Sequence, residues 1–408
     1  MSLTETERML TDALCAFLRG ESVDWQERPS PEGWRDLFAL ASEQHVLPMV
    51  FEAVCRVDGA FGDMSVESAK KLTKRQIFAQ IQTDSAFWGL YTHLRSLGFH
   101  PLVVKGMLCR SVYRDGDHRR SSDEDILIPD GEFEACCNAI REYGMSPDGN
   151  DDARTEQEIT WVSEGLRIEL HRSLFPTWEK SSVLLNGFFD GVHDDAVEYS
   201  CGDMRISSMP PGKHLLYLIL HAYKHFILSG FGIRQVCDIG LWARSYGDRI
   251  DWDALYRECE SCHTEVFARA VFGVAGEYLG IEIGLPGKWG MIDVPCEPLL
   301  RDLLGAGVYG TSSADRVHSA TVTLGAAESD GDKKKPSLLG SVFPPRQTME
   351  ILFPELKVKP MLLPVKWGER IIGYIKKGGT SPANSIKIAK ERTELLKLYG
   401  IIRQETTK

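Results

Sequence analysis

The 408-residue chain lacks any run approaching the roughly 18 consecutive apolar residues of a membrane-spanning helix. Its opening, MSLTETERML, is acidic where an export signal would be basic and then apolar, so the expectation is a cytoplasmic protein with no membrane span. A repeated set of paired cysteine spacings is missing too. Ten cysteines stand scattered from position 15 to position 296, which argues against a disulfide framework and predicts reduced thiols. CESCH (Cys259 to His263) has the spacing of a c-type haem attachment, but neither a second ligand pair nor an export signal accompanies it, and it reads as a coincidence within a helix. The patterns G-x-x-x-x-G-K-[ST], H-E-x-x-H and G-x-S-x-G are absent, which removes the main support for P-loop kinase, zinc protease and serine hydrolase readings. An excess of positive charge is lacking as well. The formal net charge of −11 argues against sequence-independent attraction to nucleic acid.

What is present is a globular composition, 43% hydrophobic and 26% charged, with charge unevenly spread. From Leu356 onward twelve Lys and Arg face four Glu, so this tail carries +8 and the rest of the chain −19. The tail reads as a solvated helix surface. Five segments follow from the patterning: a helical region over 1–98, an α/β domain over 99–205, a helical domain over 206–309, a polar, small-residue loop or linker over 310–337, and a helical, basic region over 338–408. Thr4 with Glu7 predicts a capping box, Ser30-Pro31 a second helix start and Ser65 a third. FHPLVV and DEDILIP read as strands, EFEACCNAIREYG as a helix with a glycine stop, and the runs flanking SEG (163–165) as a hairpin. The pair Cys136-Cys137 is expected to serve packing.

Asp123, Glu124 and Asp125 crowd together where the second strand begins, against strand propensity and against Coulomb repulsion. Alternation sends Asp123 and Asp125 to one face and Glu124 to the other. Two carboxylates so placed suit a hard dication such as Mg2+, which relieves their repulsion. LRIELHR puts Arg167, Glu169 and His171 on one strand face, so Glu169 joins the aspartates if its strand pairs beside theirs. With two cations, this trio can orient a hydroxyl for in-line attack on a nucleotide phosphorus. Lys105 and Gly106, where a strand gives way to a helix, offer a charge and close approach to a phosphate, and Arg120 a further contact. Arg119 and Arg120 equally suit plain neutralisation of the acids.

The stretches LVVKGMLCRSVYRDGDHRRSSDEDILIP, IELHRSL, HAYKH and RQVCDIGLWA resemble the uncharacterised nucleotidyltransferase family of the DNA polymerase beta-like superfamily, from about residue 40 to about 375. The resemblance implies an α+β fold: a small nucleotidyltransferase-type α/β domain with a mixed sheet, flanked by N-terminal and C-terminal helical regions. It also implies metal-binding roles for Asp123, Asp125 and Glu169 in moving a nucleoside monophosphate from an NTP. Lys-Gly stands here in place of the superfamily's Gly-Ser, and the gap from Gly106 to Asp123 is longer than its common pattern.

In HLLYLILHAYKHF, Leu215, Leu218, Ile219 and Ala222 recur at core spacing, and His214, Tyr217, His221 and Lys224 form a polar stripe expected to close over the nucleotide, with Lys224 reaching phosphate. His221 and His225 lack the glutamate and third ligand of a zinc site. Asp238 orients that stripe, caps a helix or forms an internal ion pair. The expected activity is transfer of an NMP, AMP from ATP favoured, to a hydroxyl of a small molecule or protein, with two Mg2+ ions and Mn2+ as a substitute. An NTP is the expected partner and nucleic acid a disfavoured one. The alternative is an inactive nucleotide-binding or scaffold protein that kept the fold.

Overall fold

The computed structural model describes residues 3–55, 57, 64–148, 157–175, 180–228, 230–306 and 391–401, with positions 346, 349, 353, 356, 359–367 and 369. The linker expected over 310–337 and most of 338–408 lie outside the described residues.

Helix α1 (Glu5–Arg19) starts at a capping box: the Glu7 N–H donates to Thr4 Oγ1 at 3.3 Å and the Thr4 N–H to Glu7 Oε2 at 2.7 Å. Ser30 caps α2 (Pro31–Glu43), accepting from the Gly33 N–H. Helix α3 (Leu47–Val54), which the sequence reading does not anticipate, has seven of its eight residues buried, so it carries no polar stripe to betray a period. Helix α4 (Met64–Ser96) begins one residue before the expected Ser65 and runs about 50 Å. One part packs on α2 and α3, another against the α/β layer, and Gly98 at φ +88° follows its end.

Next come β1 (Leu102–Val103), the short helix α5 (Met107–Arg110), β2 (Glu124–Leu127), α6 (Phe133–Glu142), β3 (Ser146–Pro147), β4 (Glu158–Ser163) and β5 (Leu166–His171). They form one five-stranded sheet in the order β1-β2-β5-β4-β3. Only β2 and β5 pair in parallel; the other neighbours are antiparallel, so the sheet is mixed. Cys136 and Cys137 are buried on α6 with Phe133 and Ile140, as packing residues, and none of the ten cysteines is disulfide-bonded.

After α7 (Lys180–Gly187), a hairpin of β6 (Val197–Cys201) and β7 (Met204–Ser208) lies against β1, and the chain then turns helical: α8 (Pro211–Leu228), α9 (Ile233–Tyr246), α10 (Trp252–Ser261), α11 (Glu265–Leu279) and α12 (Glu297–Ala306). α9 is buried from Ile233 to Ala243 apart from Gln235. At Gly240 an added Cβ would sit 2.9 Å from that of Ala275, so the missing side chain lets α9 and α11 approach. Helix α1 packs on α11. Fully buried Gln44 joins three helices, donating to Leu303 O and Leu304 O at 3.1 Å and accepting from the Ile233 N–H at 3.0 Å. Among the described residues no helix is long and apolar enough to cross a membrane.

Candidate metal and nucleotide site

The parallel register of β2 and β5 sets Asp125 opposite Glu169. Their side chains share one sheet face with His171, and Asp123 stands just ahead of β2. Asp123, Asp125, Glu169 and His171 line a cavity of about 270 Å³ whose wall also holds Lys105, Gly106 and Lys224. One ligand atom from each of Asp125, Glu169 and His171 lies within 4.8 Å of the others, so this trio can hold a metal ion.

Lys105 Nζ is 3.0 Å from Asp125 Oδ1, and His171 Nε2 is 3.3 Å from the same oxygen and 3.6 Å from Glu169 Oε2. His171 Nδ1 faces Glu158 Oε2 at 3.1 Å. Asp125 is 1% exposed, and its Oδ2 has no hydrogen-bond partner among the described residues. Burial alone would raise the Asp125 carboxyl, but the Lys105 charge and the His171 hydrogen bond hold it well below the ordinary range. Glu169 goes the other way: burial, then the charges of Asp125 and Asp123, push it up to about 7. Burial opposes a charge on His171, yet its hydrogen bonds to Asp125 and Glu158 push it up to about 9. Carboxylates so crowded favour a cation among them.

Glu124, the acid of the triplet that faces away, is fully buried. The Met107 N–H donates to its Oε2 at 2.6 Å and Arg110 Nη2 to its Oε1 at 2.7 Å. Gly106, at φ +60°, gives this carboxylate room: a Cβ there would lie 1.8 Å from Glu124 Oε2. The start of α5, expected to face a phosphate, thus meets Glu124. Arg110 also reaches Asp84 of α4 at 2.7 Å and Ser121 Oγ at 2.6 Å. The Ser121 N–H donates to Gln80 Oε1 at 2.8 Å.

The loop before Asp123 is tied on its other side as well. Arg119 donates to Asp238 of α9 at 3.0 and 2.6 Å and to Ser121 Oγ, and Tyr113 Oη donates to Asp238 at 2.8 Å. Of the three roles open to Asp238, the internal ion pair is the one formed. Burial would raise its carboxyl, and Arg119 holds it low. Arg120 is exposed and is not among the residues lining the cavity; its carbonyl accepts from Arg234.

α8 supplies the facing wall through Tyr217, His221, Lys224 and His225. His221 and His225 place their Nε2 atoms 3.3 Å apart. The Tyr217 ring is packed by Phe175 and Phe189, each at 6.3 Å. His214, the fourth member of the stripe, turns to the Val104 carbonyl at 2.8 Å, and its burial pushes it down to about 4. Sequence reasoning assigned no site role to His171 or Glu158. Alternation in LRIELHR already put His171 beside Glu169, whereas nothing local marks Glu158, which β4 brings opposite His171.

Residues 30–280 match the model of a family described as uncharacterised nucleotidyltransferase, while the curated proteins give no match. The matched span holds every residue named above around the cavity, from Lys105 to Asp238, and ends before the stretch from 281 to about 375 over which the sequence resemblance continues. With more than half of its length matched and its acids gathered on a mixed sheet of the expected kind, the chain belongs to the uncharacterised nucleotidyltransferase family.

Proposed function

We propose that the protein is a divalent-cation-dependent nucleotidyltransferase that moves an NMP, AMP from ATP favoured, onto a hydroxyl of a small-molecule or protein acceptor. The observation that carries this reading is the β2/β5 register, with Asp125 opposite Glu169 in a cavity shared with Asp123, Lys105 and Lys224. The residues fit a cation: buried Asp125 Oδ2 is without a partner among the described residues, and Glu169 is raised by burial and then by the negative charge of Asp125 and Asp123. Asp123, Asp125 and Glu169 are the carboxylates that would hold Mg2+, in two positions, and a dication there supplies charge neutralisation and polarises phosphoryl oxygens.

The remaining work falls to the chain itself. Lys105 leaves Asp125 for the triphosphate, Lys224 meets the phosphates from the α8 wall, and Gly106, with no side chain, lets a phosphate approach closely. Glu169 orients the acceptor hydroxyl and takes its proton. The hydroxyl oxygen then bonds to the α-phosphorus as the bond to the β-phosphate bridging oxygen breaks, and diphosphate leaves with the electron pair. Calorimetric titration of the four NTPs with Mg2+, on the intact protein and on Asp123→Asn, Asp125→Asn, tests the reading. Cation-dependent binding of one NTP that the double variant loses is expected; transfer retained by the variant would sink it.

A second reading has its own support: Glu124 takes the N–H that begins α5, and Lys105 is held by Asp125. A protein that binds nucleotide without transferring it accommodates both. NTP binding with no diphosphate release across a broad panel of hydroxyl acceptors would favour it.

A further inference from the structure

Mg2+ is the ion that an all-carboxylate site calls for, yet the buried trio of this cavity contains a nitrogen. His171 is 4% exposed and ends β5 with Nε2 directed between Asp125 Oδ1, at 3.3 Å, and Glu169 Oε2, at 3.6 Å. Donors on one ion at about 2.1 Å are separated by about 3.4 Å in a tetrahedral arrangement and about 3.0 Å at right angles. These two separations are therefore close to the edges of a coordination polyhedron. The other ring nitrogen lies 3.1 Å from Glu158 Oε2, close enough for that carboxylate's charge to orient a ligating imidazole. Asp125 Oδ2, buried and unpartnered among the described residues, is a further oxygen for the same position.

We infer that His171 is a metal ligand alongside Asp125 and Glu169, and that this site holds a first-row transition dication, Mn2+ in particular, more tightly than Mg2+. The inference rests on the reading of the cavity as a metal site and sharpens which ion it takes. Imidazole suits transition dications, whereas Mg2+ takes oxygen ligands and keeps its waters. Mn2+ accepts carboxylate, water and phosphate oxygens besides, so it can serve the carboxylates on the same face. The rival role for His171 is a positive charge set among carboxylates, with no bond to metal. The two roles predict opposite signs when the imidazole is removed, because deleting a ligand weakens metal binding and deleting a positive charge strengthens it.

The experiment is calorimetric titration of metal-stripped full-length protein with MnCl2 and with MgCl2, without nucleotide, on the intact chain and on His171→Gln. Mn2+ should bind at least about tenfold more tightly than Mg2+. His171→Gln should weaken Mn2+ by about tenfold or more and Mg2+ by much less, so that the preference collapses. Electron spin echo of the intact Mn2+-loaded protein should show coupling to a directly bound imidazole nitrogen, a readout that stands even if the variant fails to fold. Equal affinity for the two ions, tighter binding of both by the variant, or no nitrogen coupling would each overturn the inference. Nitrogen-coupled Mn2+ with no NTP binding would leave the inference standing and sink the transferase reading; NTP transfer without nitrogen coupling would do the reverse.

Discussion

The two faces of strand β2 carry adjacent, fully buried acids with opposite fates. Glu124 is saturated: a backbone N–H and the Arg110 guanidinium take its two oxygens, and Arg110 continues to Asp84 on α4. Asp125, one residue on, shares Oδ1 between Lys105 and His171 and leaves Oδ2 without a partner among the described residues. A buried carboxylate whose partners are complete holds the fold; one whose partners are incomplete is ready for a ligand. The difference teaches that burial and acidity do not identify a site by themselves, whereas the accounting of hydrogen bonds around each oxygen does.

Substitutions on the two faces break the comparison in opposite directions. On the cavity face, Asp125→Asn should lower turnover by about 10³-fold or more, because the carboxylate proposed to bind metal is lost. An assay of diphosphate release per folded molecule, run beside a urea unfolding curve, separates this loss from the stability lost with the Lys105 and His171 pairings. On the other face, Glu124→Gln should lower stability by about 3 kcal/mol, the lower end for a broken buried pair, since Asp84 still partners Arg110. Equilibrium unfolding in urea measures it. Activity per folded molecule should change far less than in Asp125→Asn, and a loss of equal size would erase the distinction between the faces.

Acid sharpens the contrast through His214, which is buried behind the site and lowered to about 4. The unfolded chain takes up this proton near 6.5 and the folded one only near 4, so the unfolded state binds more protons across that window. Stability is full above about 6.5, falls as pH drops, and is lower by about 3 kcal/mol at pH 4 from this residue alone. Unfolding curves at pH 7 and pH 4 should show the loss, and His214→Gln should shrink the difference between them. The smallest effect belongs to Lys105→Met. With the ammonium gone from beside Asp125 Oδ1, a dication added without nucleotide should bind a fewfold more tightly, by about 1 kcal/mol, while the NTP binds more weakly. Paired titrations with metal and with NTP would show whether the two move in opposite directions; a parallel loss of both would contradict the sharing of Asp125.

Local chemistry wrote part of this molecule directly into its sequence. The Thr4 and Glu7 capping box, the Ser30 cap and the alternation that puts Asp125, Glu169 and His171 on strand faces need only neighbours within a few residues. The hairpin around Gly165 and the α8 positions Tyr217, His221 and Lys224 belong to the same class, because their periods are visible without any partner. Helix α3 and the β6/β7 hairpin were not legible, α3 because burial on nearly every side leaves no period to read.

Tertiary structure alone decided the pairing of β2 with β5 across an intervening α6, β3 and β4, and with it the meeting of Asp125 and Glu169. It also chose Arg110 for Glu124, Asp238 for Arg119 and Glu158 for His171, partners 14, 119 and 13 positions away. The sequence by itself set which residues could carry charge to which face of a strand, since that follows from backbone alternation. Which acid became a structural anchor and which a site depended on long-range packing, since the partner that satisfies a buried carboxylate is brought to it only when distant segments fold together.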